Sequence, residues 1–116
     1  MLVVEDEAFV REVLAEVLAS EGFEVTEAAC GDEASVLMDR ADRFDLLLTD
    51  VHMPGRLNGL AVAARARARQ PDLPIVVVTG RPECNLGVSE LQPRCVLVLK
   101  PYGLSAILSA ISRVST

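Results

Sequence analysis

Phe44-Asp45-Leu46-Leu47-Leu48-Thr49-Asp50 is the stretch that decides the fold. Leu46, Leu47 and Leu48 are consecutive, so an extended chain would be apolar on both faces and has to be covered on both sides. A half-exposed antiparallel strand would alternate instead. The run ends in an acid and passes into a loop over residues 53–59 that holds Pro54, Gly55 and Gly59.

Moving outward, Ile75-Val76-Val77-Val78 is the most β-branched run of the chain, and Cys95-Val96-Leu97-Val98-Leu99 is a second run of the same kind. Leu2-Val3-Val4 is a short apolar run before Glu5-Asp6, and residues 23–28 alternate like a strand with one wet face. Helical spacing fills the gaps between them. Phe9, Val10, Val13, Leu14, Val17 and Leu18 share one helical face, which Glu21-Gly22 ends. Asp32 opens a second helix carried by Ala34, Val36, Leu37 and Met38, and residues 60–70 form an Ala/Arg-rich third. Residues 81–93 contain two prolines, a glycine, an asparagine and a serine, so the fourth helix is weak, a short piece around Leu86, Val88 and Leu91. Leu104, Ile107, Leu108 and Ile111 place a closing helix. Strands alternating with helical crossovers mean a parallel sheet, and right-handed crossovers at this size favour an α/β, doubly wound, flavodoxin-like sheet of five strands in the order 2-1-3-4-5.

With 116 residues the chain fits one domain spanning 1–116. Its 51% hydrophobic and 24% charged residues exclude a disordered chain. The formal charge of −6 argues against a nucleic-acid partner, which needs a basic face. No apolar run is long enough for a membrane span, and the first residues lack a signal-peptide pattern. Cys30, Cys84 and Cys95 are odd in number and widely spaced, with His52 the sole histidine, so they read as free thiols of a cytoplasmic protein rather than zinc ligands. Arg65, Arg67 and Arg69 read as a solvated helix face.

In a sheet of this order, a site forms beyond the carboxyl ends of the strands, at the switch point between the first and third. Glu5-Asp6, Asp50, Thr79 and Lys100 all stand at strand ends. Three close carboxylates repel one another, and a hard divalent cation such as Mg²⁺ relieves that repulsion. Lys100 and Thr79 are left to hold phosphoryl oxygens, and one carboxylate to attack phosphorus. No GxxxxGK loop is present, so a nucleotide hydrolase is disfavoured.

These residues resemble the receiver domain of two-component response regulators. Val3-Val4-Glu5-Asp6-Glu7 resembles its acidic pair, Thr49-Asp50-Val51-His52-Met53-Pro54 with Gly59 its phosphoacceptor turn, Val77-Val78-Thr79-Gly80 its Thr/Ser position, and Leu99-Lys100-Pro101-Tyr102 its Lys-Pro-aromatic motif. The resemblance implies that Asp50 accepts the phosphoryl group with Thr79 and Lys100 around it. It implies a Mg²⁺ held by the Asp6 and Asp50 carboxylates, the His52 backbone carbonyl and, through water, Glu5. It further implies a cis peptide at Lys100-Pro101. Its partners would be a histidine kinase or histidine phosphotransfer protein, and beyond these a downstream target or a second copy of the chain. The domain would signal by conformational change, with no enzymatic activity beyond its own phosphorylation and dephosphorylation. The chain looks like a stand-alone receiver, and a trimmed larger regulator would look the same.

Two readings of other classes stand beside this one. An interaction-only receiver would share the fold without being phosphorylated. An Asp-nucleophile phosphatase would need a second acid two residues after Asp50, where this chain has His52. Three features depart from the family pattern. Leu97 stands where the switch aromatic is usual, the 54–59 loop is one residue longer, and the fourth helix is broken. Leu97, with no polar tip, is expected to stay packed, leaving residues 80–93 to respond to phosphorylation.

Overall fold

The computed structural model describes residues 1–40, 43–53, 55, 57–81 and 85–115, with backbone alone at 85 and 86. Pro54 and Cys84 lie outside the described residues. The elements run β1 (Leu2–Val4), α1 (Ala8–Ser20), β2 (Thr26–Ala28), α2 (Gly31–Arg40), β3 (Leu47–Asp50), α3 (Gly59–Arg69), β4 (Ile75–Thr79), α4 (Asn85–Ser89), β5 (Cys95–Leu99) and α5 (Leu104–Ser115). The sheet is parallel throughout, in the order β2-β1-β3-β4-β5.

Alternation along each strand splits the core into two layers. Leu2, Val4, Leu47, Ile75, Val77 and Cys95 face α2, α3 and α4, meeting Ala34, Met38, Val62, Ala66 and Val88. Val3, Leu48, Val76, Val78 and Val98 face α1 and α5, meeting Leu14, Leu18, Ile107, Ala110 and Ile111. Every residue of β4 is buried, and each Val or Ile there contributes about 1.5–3 kcal/mol relative to exposure. That central strand therefore holds β3 and β5 in register, which is what brings their carboxyl ends together.

Two strands are shorter than the sequence pattern suggests. Residue 23 belongs to the exit of α1, because Phe23 N–H donates to Leu18 O at 3.1 Å beside Gly22 at φ 99°. The β2 ladder can then run only opposite the three residues of β1. Phe44 is likewise outside β3. The Gln70 amide donates to Phe44 O and accepts from Phe44 N–H, both at 2.8 Å, which satisfies the backbone without a strand neighbour. In α1, Leu14 and Leu18 are buried, but Phe9 is 78% exposed and Val13 42%. The apolar stripe of that helix is wider than the core it covers.

Of the arginines of α3, Arg65 and Arg69 are exposed, as a solvated face requires, and Arg67 alone departs from that reading. Arg65 donates to Ser35 Oγ at 2.9 Å, and Arg69 pairs with Asp39 at 2.7 Å. Arg67 is half-buried and donates to the carbonyls of Leu91, Pro71, Leu73, Pro93 and Arg94. A guanidinium has five N–H groups, and here each finds a backbone acceptor. Burial lowers the Arg67 pKa, and no carboxylate stands among these five acceptors.

Candidate functional site

The switch point between β1 and β3 carries the candidate site. Glu5 and Asp6 leave β1, Asp50 ends β3, and the buried Thr79 ends β4. Register sets Asp50 opposite Val78, and Thr79 opposite Leu99, so the hydroxyl stands one step beyond the acid's neighbour. Lys100 follows β5, its N–H bonded to Thr79 O at 2.8 Å. The peptide into Pro101 is cis.

Lys100 Nζ reaches Asp50 Oδ2 at 3.0 Å, although fifty residues separate them. Asp50 Oδ1 accepts Val51 N–H at 2.8 Å, so both oxygens of this buried acid have partners. Burial presses down on the Lys100 ammonium, but the Asp50 hydrogen bond and charge outweigh it and raise its pKa. Glu5 is buried too, and its Oε1 accepts Glu7 N–H at 3.1 Å. Burial, aided by the negative charge of Asp50, pushes the Glu5 carboxyl up to about 7.

One carboxylate oxygen each from Glu5, Asp6 and Asp50 lies within 4.8 Å of the other two. This is an all-oxygen donor set with excess negative charge, and it fits a hard divalent cation. His52 is exposed, directly after the Asp50 turn. The structure thus brings Glu5, Asp6, Asp50 and Lys100 together, with Thr79 on the adjoining strand end. Leu97, at the position of the switch aromatic, is half-buried and packs on the α2–α4 side of the core.

Gly59 has a spatial reason to be glycine. A Cβ there would lie 1.8 Å from Asp50 O, and Gly59 N–H donates to Val51 O at 2.9 Å. The start of α3 is therefore pressed against the backbone of the turn at Asp50 and Val51. Less visible in the sequence is a groove of about 570 Å³ beside the site, lined by Glu5, Phe9, Val13, Lys100, Pro101 and Tyr102 among others. Its only advance sign is the excess width of the α1 apolar stripe. Tyr102 is half-buried there, and burial raises its pKa.

Comparisons with known proteins agree with this geometry. The sequence model of the response regulator receiver domain matches residues 1–112. Response regulator MprA of Mycobacterium leprae is 39% identical over 112 residues, covering 96% of this chain and 48% of the relative. MprA of Mycobacterium avium is 40% identical over 110 residues, covering 94% and 47%. The chain spans about half the length of these curated relatives. Among solved structures, chemotaxis protein CheY4 of Vibrio cholerae superposes with a TM-score of 0.85 at 28% identity, over 97% of this chain and 95% of that one. Response regulator TrrA of Thermotoga maritima, solved in complex with Mg²⁺-BeF, gives 0.84 at 30%, over 97% and 96%. The fold and its acidic switch point define a doubly wound signalling domain. The chain belongs to the response regulator receiver domain family. Among the described residues, no helix is long and apolar enough to cross a membrane.

Proposed function

We propose that Asp50 is the phosphoacceptor of this receiver, taking its phosphoryl group from a histidine kinase or histidine phosphotransfer protein. The observation that carries this is the 3.0 Å pair between Lys100 Nζ and Asp50 Oδ2 inside a three-carboxylate cluster. A buried acid that already holds a cation on one oxygen has a ready counter-charge for the anionic oxygens of an incoming phosphoryl group.

The carboxylate of Asp50 attacks phosphorus, forming the O–P bond as the P–N bond of the donor phosphohistidine breaks. The departing imidazole keeps the bonding pair and takes up a proton, so the product is an acyl phosphate and a neutral histidine. Lys100 moves its ammonium from Asp50 Oδ2 to a phosphoryl oxygen, and the Thr79 hydroxyl donates to another. Val51 N–H keeps the carboxylate oriented during the exchange. The Asp6 and Asp50 carboxylates and the His52 backbone carbonyl would hold Mg²⁺, with Glu5 acting through water. The ion supplies charge neutralisation for the phosphoryl oxygens.

The groove beside the site is where the donor protein would rest. It shares Glu5 and Lys100 with the cluster, and Phe9 offers an uncovered aromatic anchor. The free thiols of Cys30 and Cys95 suit a reducing cytoplasm. Incubation with acetyl phosphate and Mg²⁺, followed by intact mass, tests the proposal. One added phosphoryl group, absent in a chelator, is expected. No addition from acetyl phosphate or from any phosphohistidine donor would leave an interaction-only receiver.

A further inference from the structure

Gly31, the first residue of α2, lies on a different element from every residue of the site, and its φ is not in the left-handed region. Conformational freedom therefore does not explain it, and space does. A Cβ on Gly31 would stand 2.2 Å from Leu57 O, 2.6 Å from Leu57 Cβ and 2.9 Å from Leu57 C. Two of these three are backbone atoms and the third is rigidly attached to the backbone, so no rotamer change relieves the clash. To reach ordinary contact the Leu57 backbone, or the start of α2, has to retreat by roughly an ångström.

Leu57 is two residues from Gly59, whose own missing Cβ is filled by the Asp50 carbonyl. Between them, Asn58 caps α3, its Oδ1 accepting Ala61 N–H at 2.9 Å. The segment 57–59 is thus wedged, seated on α2 at one end and on the phosphoacceptor turn at the other. Both seats exist only because a glycine provides them, and both glycines are buried. A displacement imposed at Leu57 has a short, rigid route to Asp50 and Val51. The seat is also partnered by chemistry outside the site, since Leu57 packs on the α2–α4 side of the core.

We propose that Gly31 is a positioning residue of the phosphoryl site: by letting Leu57 seat directly on the first residue of α2, it sets the placement of the turn that carries Asp50 and the His52 carbonyl. Gly31 touches neither phosphoryl group nor metal and acts only through Leu57 and Gly59. The inference rests on Asp50 being the phosphoacceptor.

The test compares wild type, Gly31→Ala, Leu57→Gly and Asp50→Asn, each full chain and each confirmed folded by circular dichroism at the assay temperature. The readouts are the acetyl phosphate reaction rate at saturating Mg²⁺, Mg²⁺ affinity by calorimetry, and backbone amide shifts. For Gly31→Ala, the rate should fall by roughly tenfold to hundredfold, the cost of an ångström-scale misplacement. Mg²⁺ affinity should fall with it, and amide shifts should run along 57–59 into 50–52. Where Gly31→Ala does not fold, Leu57→Gly decides: it loosens the same seat from the other side and should show the same losses, more mildly. Wild-type rate and Mg²⁺ affinity in a folded Gly31→Ala, or in Leu57→Gly when that variant has to decide, would overturn the positioning role. Asp50→Asn separates the two claims. Label persisting there removes the phosphoacceptor assignment, whereas label lost there but undiminished in Gly31→Ala removes only the role of Gly31.

Discussion

The ammonium of Lys100 sits 3.0 Å from Asp50 Oδ2, closing the end of β5 onto the end of β3. The pair links a buried acid to a lysine that is 38% exposed, so solvent can reach one side of it. With Asp50 as the proposed phosphoacceptor, Lys100 occupies the carboxylate that would react, and it would have to move for a phosphoryl group to bind.

Lys100→Ala should therefore slow phosphorylation strongly while sparing the metal. Mg²⁺ affinity should hold or rise, because a competing cation has been removed from Asp50. Calorimetry and phosphorylation kinetics on the same sample check both halves. A Mg²⁺ loss as large as that of Asp6→Ala would show that Lys100 organises the acids instead.

Asp6→Ala should weaken Mg²⁺ binding sharply, and Glu5→Ala less, since a direct ligand matters more than one acting through water. Mg²⁺ should also raise the wild-type melting temperature by mass action. Equal Mg²⁺ affinity in wild type and Asp6→Ala would contradict the ligand assignment.

The buried Glu5 carboxyl makes metal-free stability depend on pH. Its pKa in the folded protein is about 7, raised from 4.5 by burial. The folded state thus binds the proton more tightly than the unfolded state. The associated stability is fully present below the unfolded pKa and is lost as pH rises through the folded one. In a chelator, the melting temperature of wild type relative to Glu5→Gln should fall between about pH 5 and about pH 8. Parallel pH profiles for the two proteins would show that Glu5 titrates normally.

Arg67→Met should destabilise the chain by about 2–4 kcal/mol, since it strips a charged donor from five carbonyls. Arg67→Lys should recover little, because one ammonium has three donors and no planar fork. Denaturant unfolding measures this, and a loss below about 0.5 kcal/mol would mean that the acceptors are satisfied by solvent.

The residues legible in advance are those whose position at a strand end is itself the signal. The β5 run from Cys95 to Leu99 is bounded by Pro93-Arg94 and Lys100-Pro101, and it forms over those five residues. Lys100 follows an apolar run directly and Asp50 stands one threonine beyond another, so their convergence needs only the strand order. Arg67 was illegible because its acceptors are backbone carbonyls, which no side-chain pattern marks. In an Ala-rich helix with Arg at every second place, nothing separates it from Arg65 and Arg69. Phe9 and Val13 repeat at core spacing, yet periodicity reports one face of a helix and not whether anything covers it. Gly31 and Gly59 carry no signal of what fills their missing side chains.

Reductive trapping of the acyl phosphate after exposure to acetyl phosphate and Mg²⁺, followed by peptide mapping, bears most directly on the central claim. Modification at Asp50 alone, abolished in an Asp50→Asn variant that remains folded, is the predicted result. Modification at Glu5, Asp6 or His52, or label persisting in Asp50→Asn, would contradict it.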